Sequence, residues 1–225
     1  IIYGDSGANG KGNIINEHTV PSPSNFYGDS KRQADIGVRR LASDRFKVAV
    51  LRPPMIYGAG SKGNYPKLSK LAKTLPVFPD IDNQRSMLYI DNLCEFLCLL
   101  ILSGEGGIYF PQNKTYTKTA DMVKQAAAVS GKHVYVSKVF NPAVMIAERI
   151  PGRVGGLAKK AFGSSIYDQK LSVYDGLEYR VVSFEESIRQ TEADRDGKPL
   201  HILIVSQYFY PETFRINDMA AEWIK

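Results

Sequence analysis

Short apolar runs alternate with longer amphipathic stretches along this chain, and that alternation confines it to a layered α/β fold with a parallel sheet. Lys47-Val48-Ala49-Val50-Leu51-Arg52 is one such run, closed by Pro53-Pro54, and its unbroken apolar character suits a buried parallel strand. Further strands are expected over 86–90, 107–110 and 133–139. Residues 4–24 read as a polar, glycine-rich loop. A helix is expected over 26–43, with Ala34, Val38 and Leu41 as its apolar side. Others are expected over 66–75 and from a cap at Asp91 to about Leu102. Another should begin at Thr119 or Asp121 and close at Gly131. Residues 141–160 read as helix broken at Pro151-Gly152 and at Gly155-Gly156, and 185–191 as a short closing helix. No internal repeat is present. Residues 190–199 have the composition of a linker, and the chain changes character after them.

Composition narrows the class without naming a function. Hydrophobic residues make up 44% and charged residues 23%, the balance of a soluble globular protein. A net charge of +6 would suit nucleic acid, but Lys and Arg are scattered, no run exceeds a pair, and no nucleic-acid motif appears. A basic balance also suits an anionic diphosphate. Cys94 and Cys98 lie four apart among leucines and are expected to be buried small hydrophobes in a reducing compartment. Their surroundings offer no further metal ligands, and neither His18 nor His133 has partners for a metal or nucleophile constellation. The stretch around the cysteines is too short, and too interrupted by Glu95, to span a bilayer.

Chemistry enters at Asn25-Phe26-Tyr27-Gly28-Asp29-Ser30-Lys31-Arg32-Gln33. Tyr27 and Lys31 are about one helical turn apart, so their side chains are neighbours on one face. A phenol ordinarily keeps its proton to about pH 10. An adjacent ammonium favours the phenolate, which can then take a proton from an alcohol. Alone, the tetrad also fits a solvated helix start.

Its neighbours give it context. Tyr3-Gly4 comes first, then Glu17 with Pro21 and Pro23, then Tyr27-Gly28-Asp29-Ser30-Lys31, then Leu51-Arg52-Pro53-Pro54-Met55-Ile56-Tyr57-Gly58. In this order the four motifs resemble those of the extended short-chain dehydrogenase/reductases, the NAD-dependent epimerase/dehydratase family that acts on nucleotide sugars. The resemblance covers residues 1–195. It implies the C-terminal part of a Rossmann-like parallel sheet with a small substrate-binding subdomain, and a cytoplasmic protein. It further implies NAD or NADP as cofactor, a nucleotide-diphosphate sugar as substrate, and a homodimer formed through the Tyr27 helix. By the same resemblance Tyr27 would remove a proton from a sugar hydroxyl while hydride passes to the nicotinamide. Lys31 would hold the nicotinamide ribose, and Pro53 would lie at the cofactor. Arg85, within Gln84-Arg85-Ser86-Met87-Leu88-Tyr89-Ile90-Asp91, would clamp the diphosphate, the alternative being a surface arginine in an ion pair. Met55 stands where many members carry an Asn that touches the substrate, which leaves the sugar open.

Two expected parts fall outside the sequence. The hydroxyl residue four before the first motif's tyrosine, and the glycine-rich turn that cradles the pyrophosphate, would both precede Ile1. Gly7-Ala8-Asn9-Gly10-Lys11-Gly12 follows the wrong strand and reads as a loop. The chain is therefore expected to be N-terminally truncated and inactive by itself. Ile1 occupies the position of the 4,6-dehydratases' glutamate, which leaves an epimerase or a reductase. Residues 196–225 differ again: Leu200-His201-Ile202-Leu203-Ile204-Val205-Ser206 is a strong strand. Tyr208-Phe209-Tyr210-Pro211-Glu212 and Phe214-Arg215-Ile216-Asn217-Asp218 follow it, and the segment resembles the opening of a bacterial glycosyltransferase with two Rossmann-like domains. The alternative is a last strand and helix of the first domain. Together the two resemblances imply surface-polysaccharide synthesis. Two other readings stay open, a non-catalytic NAD(P)-binding module and a glycosyltransferase with an epimerase-like appendage.

Overall fold

The computed structural model describes residues 2–4 and 14–193, without the side chains of Arg153, Val154, Leu157 and Lys160. Ile1, the stretch from Gly7 to Gly12 and the glycosyltransferase-like segment 196–225 lie outside the described residues. Within them the fold is α/β with parallel strands, as the alternation of runs implies. β1 (Ala49–Leu51) pairs with β5 (Gly107–Tyr109), β2 (Met55–Tyr57) with β4 (Met87–Tyr89), and β3 (Val77–Pro79) with β6 (Tyr135–Ser137). The described strands form three two-stranded parallel ladders. Pro53-Pro54 explains the break between β1 and β2, because proline has no N–H to give to a ladder.

Helices cover these ladders. They are α1 (Phe26–Arg39), α2 (Tyr65–Thr74), α3 (Ile90–Ser103), α4 (Thr119–Val129), α5 (Asn141–Arg149), α6 (Arg153–Phe162) and α7 (Phe184–Ala193). Asp91 is not the cap of α3: Tyr89 occupies that position without a side-chain bond, and Asp91 sits in the first turn, where a carboxylate suits the helix dipole. Gly131 lies just past the C-cap of α4 at φ +68, the left-handed turn expected of it. The long stretch after β6 breaks only at Pro151-Gly152. Gly155 and Gly156 remain inside α6, since a Cβ at Gly155 would strike the Ile150 carbonyl oxygen. That glycine serves close packing of the two helices and ends neither.

Two inward-facing expectations are corrected. Cys94 and Cys98 are both exposed and unpaired. The inward stripe of α3 is Asn92, Phe96 and Leu100, and the cysteines fall on the opposite side of a helix that is apolar all round. On α1, Ala34 and Val38 also face outward, as does Leu41 just beyond the helix, which ends at Arg39, and Gly28 is the buried position. An ion pair, described below, takes the inward side instead.

The main core lies where α2, α4 and α7 meet β2, β3 and β4 around Tyr57, Phe78, Met87, Val123 and Ile188. Tyr57 is fully enclosed and stacks on Tyr65 at 5.5 Å. Its hydroxyl lies 2.5 Å from Ser187 Oγ and accepts the Asn113 amide at 3.1 Å. Burial, opposed by these two bonds, pushes its phenol up to about 12, so it stays protonated. Glu192 closes the core from α7. Its carboxylate accepts Tyr65 Oη and Ser69 Oγ, each at 2.9 Å, and pairs with Lys73 Nζ at 2.8 Å. Burial alone would raise its pKa, but Lys73, Ser69 and Tyr65 outweigh it and hold the carboxyl below its usual value.

Replacing Glu192 by Ala should cost about 3 kcal/mol of unfolding free energy at neutral pH, read from urea titrations. The folded pKa lies below the unfolded value of about 4.3. The ion pair's contribution is thus fully present above that value and disappears as pH falls through the folded one. The difference between wild type and Glu192→Ala should accordingly narrow below about pH 4.

Candidate active site

Asn25 sets the start of α1. Its side chain accepts the Gly28 N–H at 2.8 Å, satisfying a helix-end donor one residue beyond Tyr27. From there the helical repeat carries Tyr27 and Lys31 onto one face, with Lys31 Nζ 5.6 Å from the centre of the Tyr27 ring. Tyr27 is 56% exposed and Lys31 is exposed as well, so both are open to a bound molecule.

One turn further on, Asp35 lies on the side of α1 that the buried Gly28 marks. Arg52, at the end of β1, grips it with Nε to Oδ2 at 2.8 Å and Nη2 to Oδ1 at 3.1 Å. The third guanidinium nitrogen, Nη1, donates to the Tyr3 hydroxyl at 2.9 Å. The Arg52 and Asp35 side chains are only 11% and 8% exposed. Desolvation works against the Asp35 carboxylate, but Arg52 and then Arg39 overcome it and hold its pKa below the ordinary. The rings of Tyr3 and Phe110 each lie 5.9 Å from the guanidinium carbon, a further favourable contact for the cation.

Glycines bring the remaining motifs close. Gly4 sits at φ +60, and a Cβ there would strike the Ser22 carbonyl oxygen, so Tyr3-Gly4 is seated on the Pro21-Ser22-Pro23 loop. Gly58 likewise lies against Ile90 at the start of α3. Tyr3-Gly4, the proline loop, the Tyr27 helix and Arg52 thus meet around α1 and β1, while Met55 to Gly58 continue into β2 and towards α3. Glu17 stays exposed at the surface, 3.3 Å from His18.

The other candidates sit elsewhere. Pro53 is half-buried between β1 and β2. Met55 lies in β2 opposite Met87 and packs on the main core. Arg85 is buried; its backbone pairs with Thr117, and its Nε donates to the Gly163 carbonyl at 3.1 Å. Burial pulls its guanidinium pKa down. Sequence reasoning gave no role to Tyr3, Asp35 or the Arg52 side chain. The available signal was an acid one turn beyond Lys31 together with an arginine directly ahead of the proline pair. No cluster of three or more His, Cys, Asp or Glu able to hold a metal occurs among the described residues.

An exposed phenol beside an ammonium, on a helix anchored by a buried ion pair, can exchange a proton with a bound alcohol. Arg52→Leu, which strands Asp35, should lower unfolding free energy by about 3 kcal/mol, and Arg52→Lys by less, since lysine keeps the charge but loses the two-pronged bond. Urea denaturation of the three proteins checks the order.

Comparison with known proteins places the fold. UDP-glucose 4-epimerase of Thermotoga maritima, solved with UDP-glucose, superposes with a TM-score of 0.58 at 22% identity, covering 86% of this chain and 60% of that one. The enzyme of the same name from Thermus thermophilus, solved with NAD, gives 0.58 at 20% identity, with 88% and 61% covered. RMD from Pseudomonas aeruginosa, complexed with NADPH, gives 0.58 at 17% identity, with 80% and 59% covered. A curated relative, UDP-glucose 4-epimerase of Vibrio cholerae, is 29% identical over 117 residues, which is 49% of this chain and 36% of the relative. The chain therefore spans about a third of that relative's length and about three fifths of the solved ones. Residues 1–110, which hold Tyr3, Tyr27, Lys31, Asp35 and Arg52, match the model of the NAD dependent epimerase/dehydratase family.

Proposed function

We propose that this chain supplies the proton-transfer and substrate side of an NAD(P)-dependent nucleotide-sugar epimerase or reductase serving surface-polysaccharide synthesis. The observation that carries the reading is the exposed Tyr27–Lys31 pair, 5.6 Å apart on a helix held by Arg52. Solved relatives contain NAD, NADPH or UDP-glucose, which supports both the cofactor and the substrate class.

The pair fits the ribose end of the dinucleotide, since both side chains are open on one face. The sequence has no Gly-x-Gly-x-x-Gly turn for the pyrophosphate. NAD(P), when bound, accepts and returns a hydride. Tyr27 Oη removes the proton from the sugar hydroxyl as the carbon–hydrogen bond breaks, and gives it back when the bond re-forms. Lys31 binds the ribose hydroxyls and steadies negative charge on the phenol oxygen. Pro53 lies against the cofactor, Arg85 engages the diphosphate, and Met55 shapes the sugar contact. The outward Ala34 and Val38 of α1, with Leu41 just beyond it, support a homodimer through that helix. Residues 196–225 open a glycosyltransferase domain in this reading.

In the full-length polypeptide, Tyr27→Phe should lower kcat with a panel of UDP-sugars by about 10²–10⁴ while dinucleotide affinity stays within about threefold. Turnover equal to wild type would remove Tyr27 from the role of base. Lys31→Met should weaken dinucleotide binding as well as turnover, and the 225-residue chain alone should show no epimerisation.

A further inference from the structure

The α5–α6 hairpin takes no part in the chemistry above, and its outer surface is unusual. On α5, Val144 is buried and Ala147 and Glu148 are half-buried. Pro142, Ala143, Met145, Ile146 and Arg149 are exposed, Ile146 at 63%. At 3.6 residues per turn these five form one continuous face, apolar except for a single guanidinium. Ile150 extends the face beyond the helix, and Val139 and Phe140, in the short 3-10 turn ahead of it, extend it the other way, Val139 at 80% exposure. Solvent-facing apolar surface of this kind marks a docking site.

Charge decides what docks. Residues 132–163 carry six Lys and Arg against the single acid Glu148, so five of the chain's six net positive charges fall in this segment. Lys138, Arg149 and Lys159 are exposed beside the apolar face, and Arg149 and Lys159 border an open groove between the two helices. A second copy of the hairpin would bring basic surfaces together and be repelled. Nucleic acid would gain little from a face that offers one ring, Phe140, among aliphatic side chains that cannot stack on bases. An apolar face flanked by cations is instead the pattern of a helix lying in the interface of an anionic membrane. No described helix is long and apolar enough to cross one.

The hairpin is also presented rigidly. Asn141 Nδ2 donates to the Asp80 carbonyl at 2.8 Å, Thr119 Oγ1 to the Ala161 carbonyl at 2.9 Å, and Phe162 packs 5.6 Å from Phe78. We propose that the α5–α6 hairpin docks on anionic lipid. Val139, Phe140, Met145 and Ile146 enter the boundary between headgroups and acyl chains, and Lys138, Arg149 and Lys159 engage the phosphates.

The test is co-sedimentation of the chain with phosphatidylcholine vesicles, with and without about one third phosphatidylglycerol. Binding is expected only with the anionic lipid and should weaken in high salt. Ile146→Asp should abolish it, Lys138→Ala should weaken it roughly fivefold, and Leu102→Asp, on the exposed side of α3, should leave it unchanged. Circular dichroism establishes that each variant is folded. Three results would overturn the proposal: no binding to anionic vesicles, equal binding to neutral ones, or undiminished binding by folded Ile146→Asp. A concentration-dependent dimer that Ile146→Asp dissolves, without vesicle binding, would reassign the face to self-association.

Discussion

Arg52 joins pieces of chain that lie far apart in sequence. Its three guanidinium nitrogens reach Asp35 on α1 and Tyr3 of the first motif, while its own backbone N–H bonds the carbonyl of Tyr109, the last residue of β5. A planar fork can serve all these partners at once, and a lysine could not. The pair is nearly enclosed, so its partners cannot be traded for water without leaving a charge uncompensated. The position of the Tyr27–Lys31 pair relative to β1 follows from this one contact.

A second buried carboxylate does the corresponding task on the far side. Glu192 ties α7 to α2, and the Tyr57–Ser187 bond ties α7 to β2. Two tyrosines thereby take opposite characters from their surroundings. Tyr57 is walled in by Tyr65 and Tyr89 and keeps its proton, whereas Tyr27 stands in the open at a helix start.

Local rules carried the sequence reading where local physics decides. The spacing of Tyr27 and Lys31, the glycine after α4 and the parallel sense of the strands depend on short-range geometry or on crossover length. The reading failed where a helix had more than one apolar side. Leucines surround Cys94 and Cys98 in every direction, so composition could not say which stripe packs, and Phe96 took the inward place. On α1 the inward side belongs to Asp35, which apolar periodicity cannot find because its partner lies seventeen residues away. Gly155-Gly156 looked like a break because glycine disfavours helices, yet close approach to Ile150 was the reason for it. The basic residues appeared scattered along the chain because the net charge gathered in residues 132–163 becomes meaningful only once α5 shows its bare face.

The cap at Asn25 has a consequence for how this region can vary. It fixes where α1 begins, and Arg52 fixes Asp35, so the helix between them acts as a ruler of about 1.5 Å per residue. A residue gained or lost between Tyr27 and Asp35 would turn Tyr27 by about 100° relative to the Asp35 anchor. The same change in the loop ahead of Asn25 would leave that alignment intact. Tolerance to length variation should therefore change abruptly at a single asparagine.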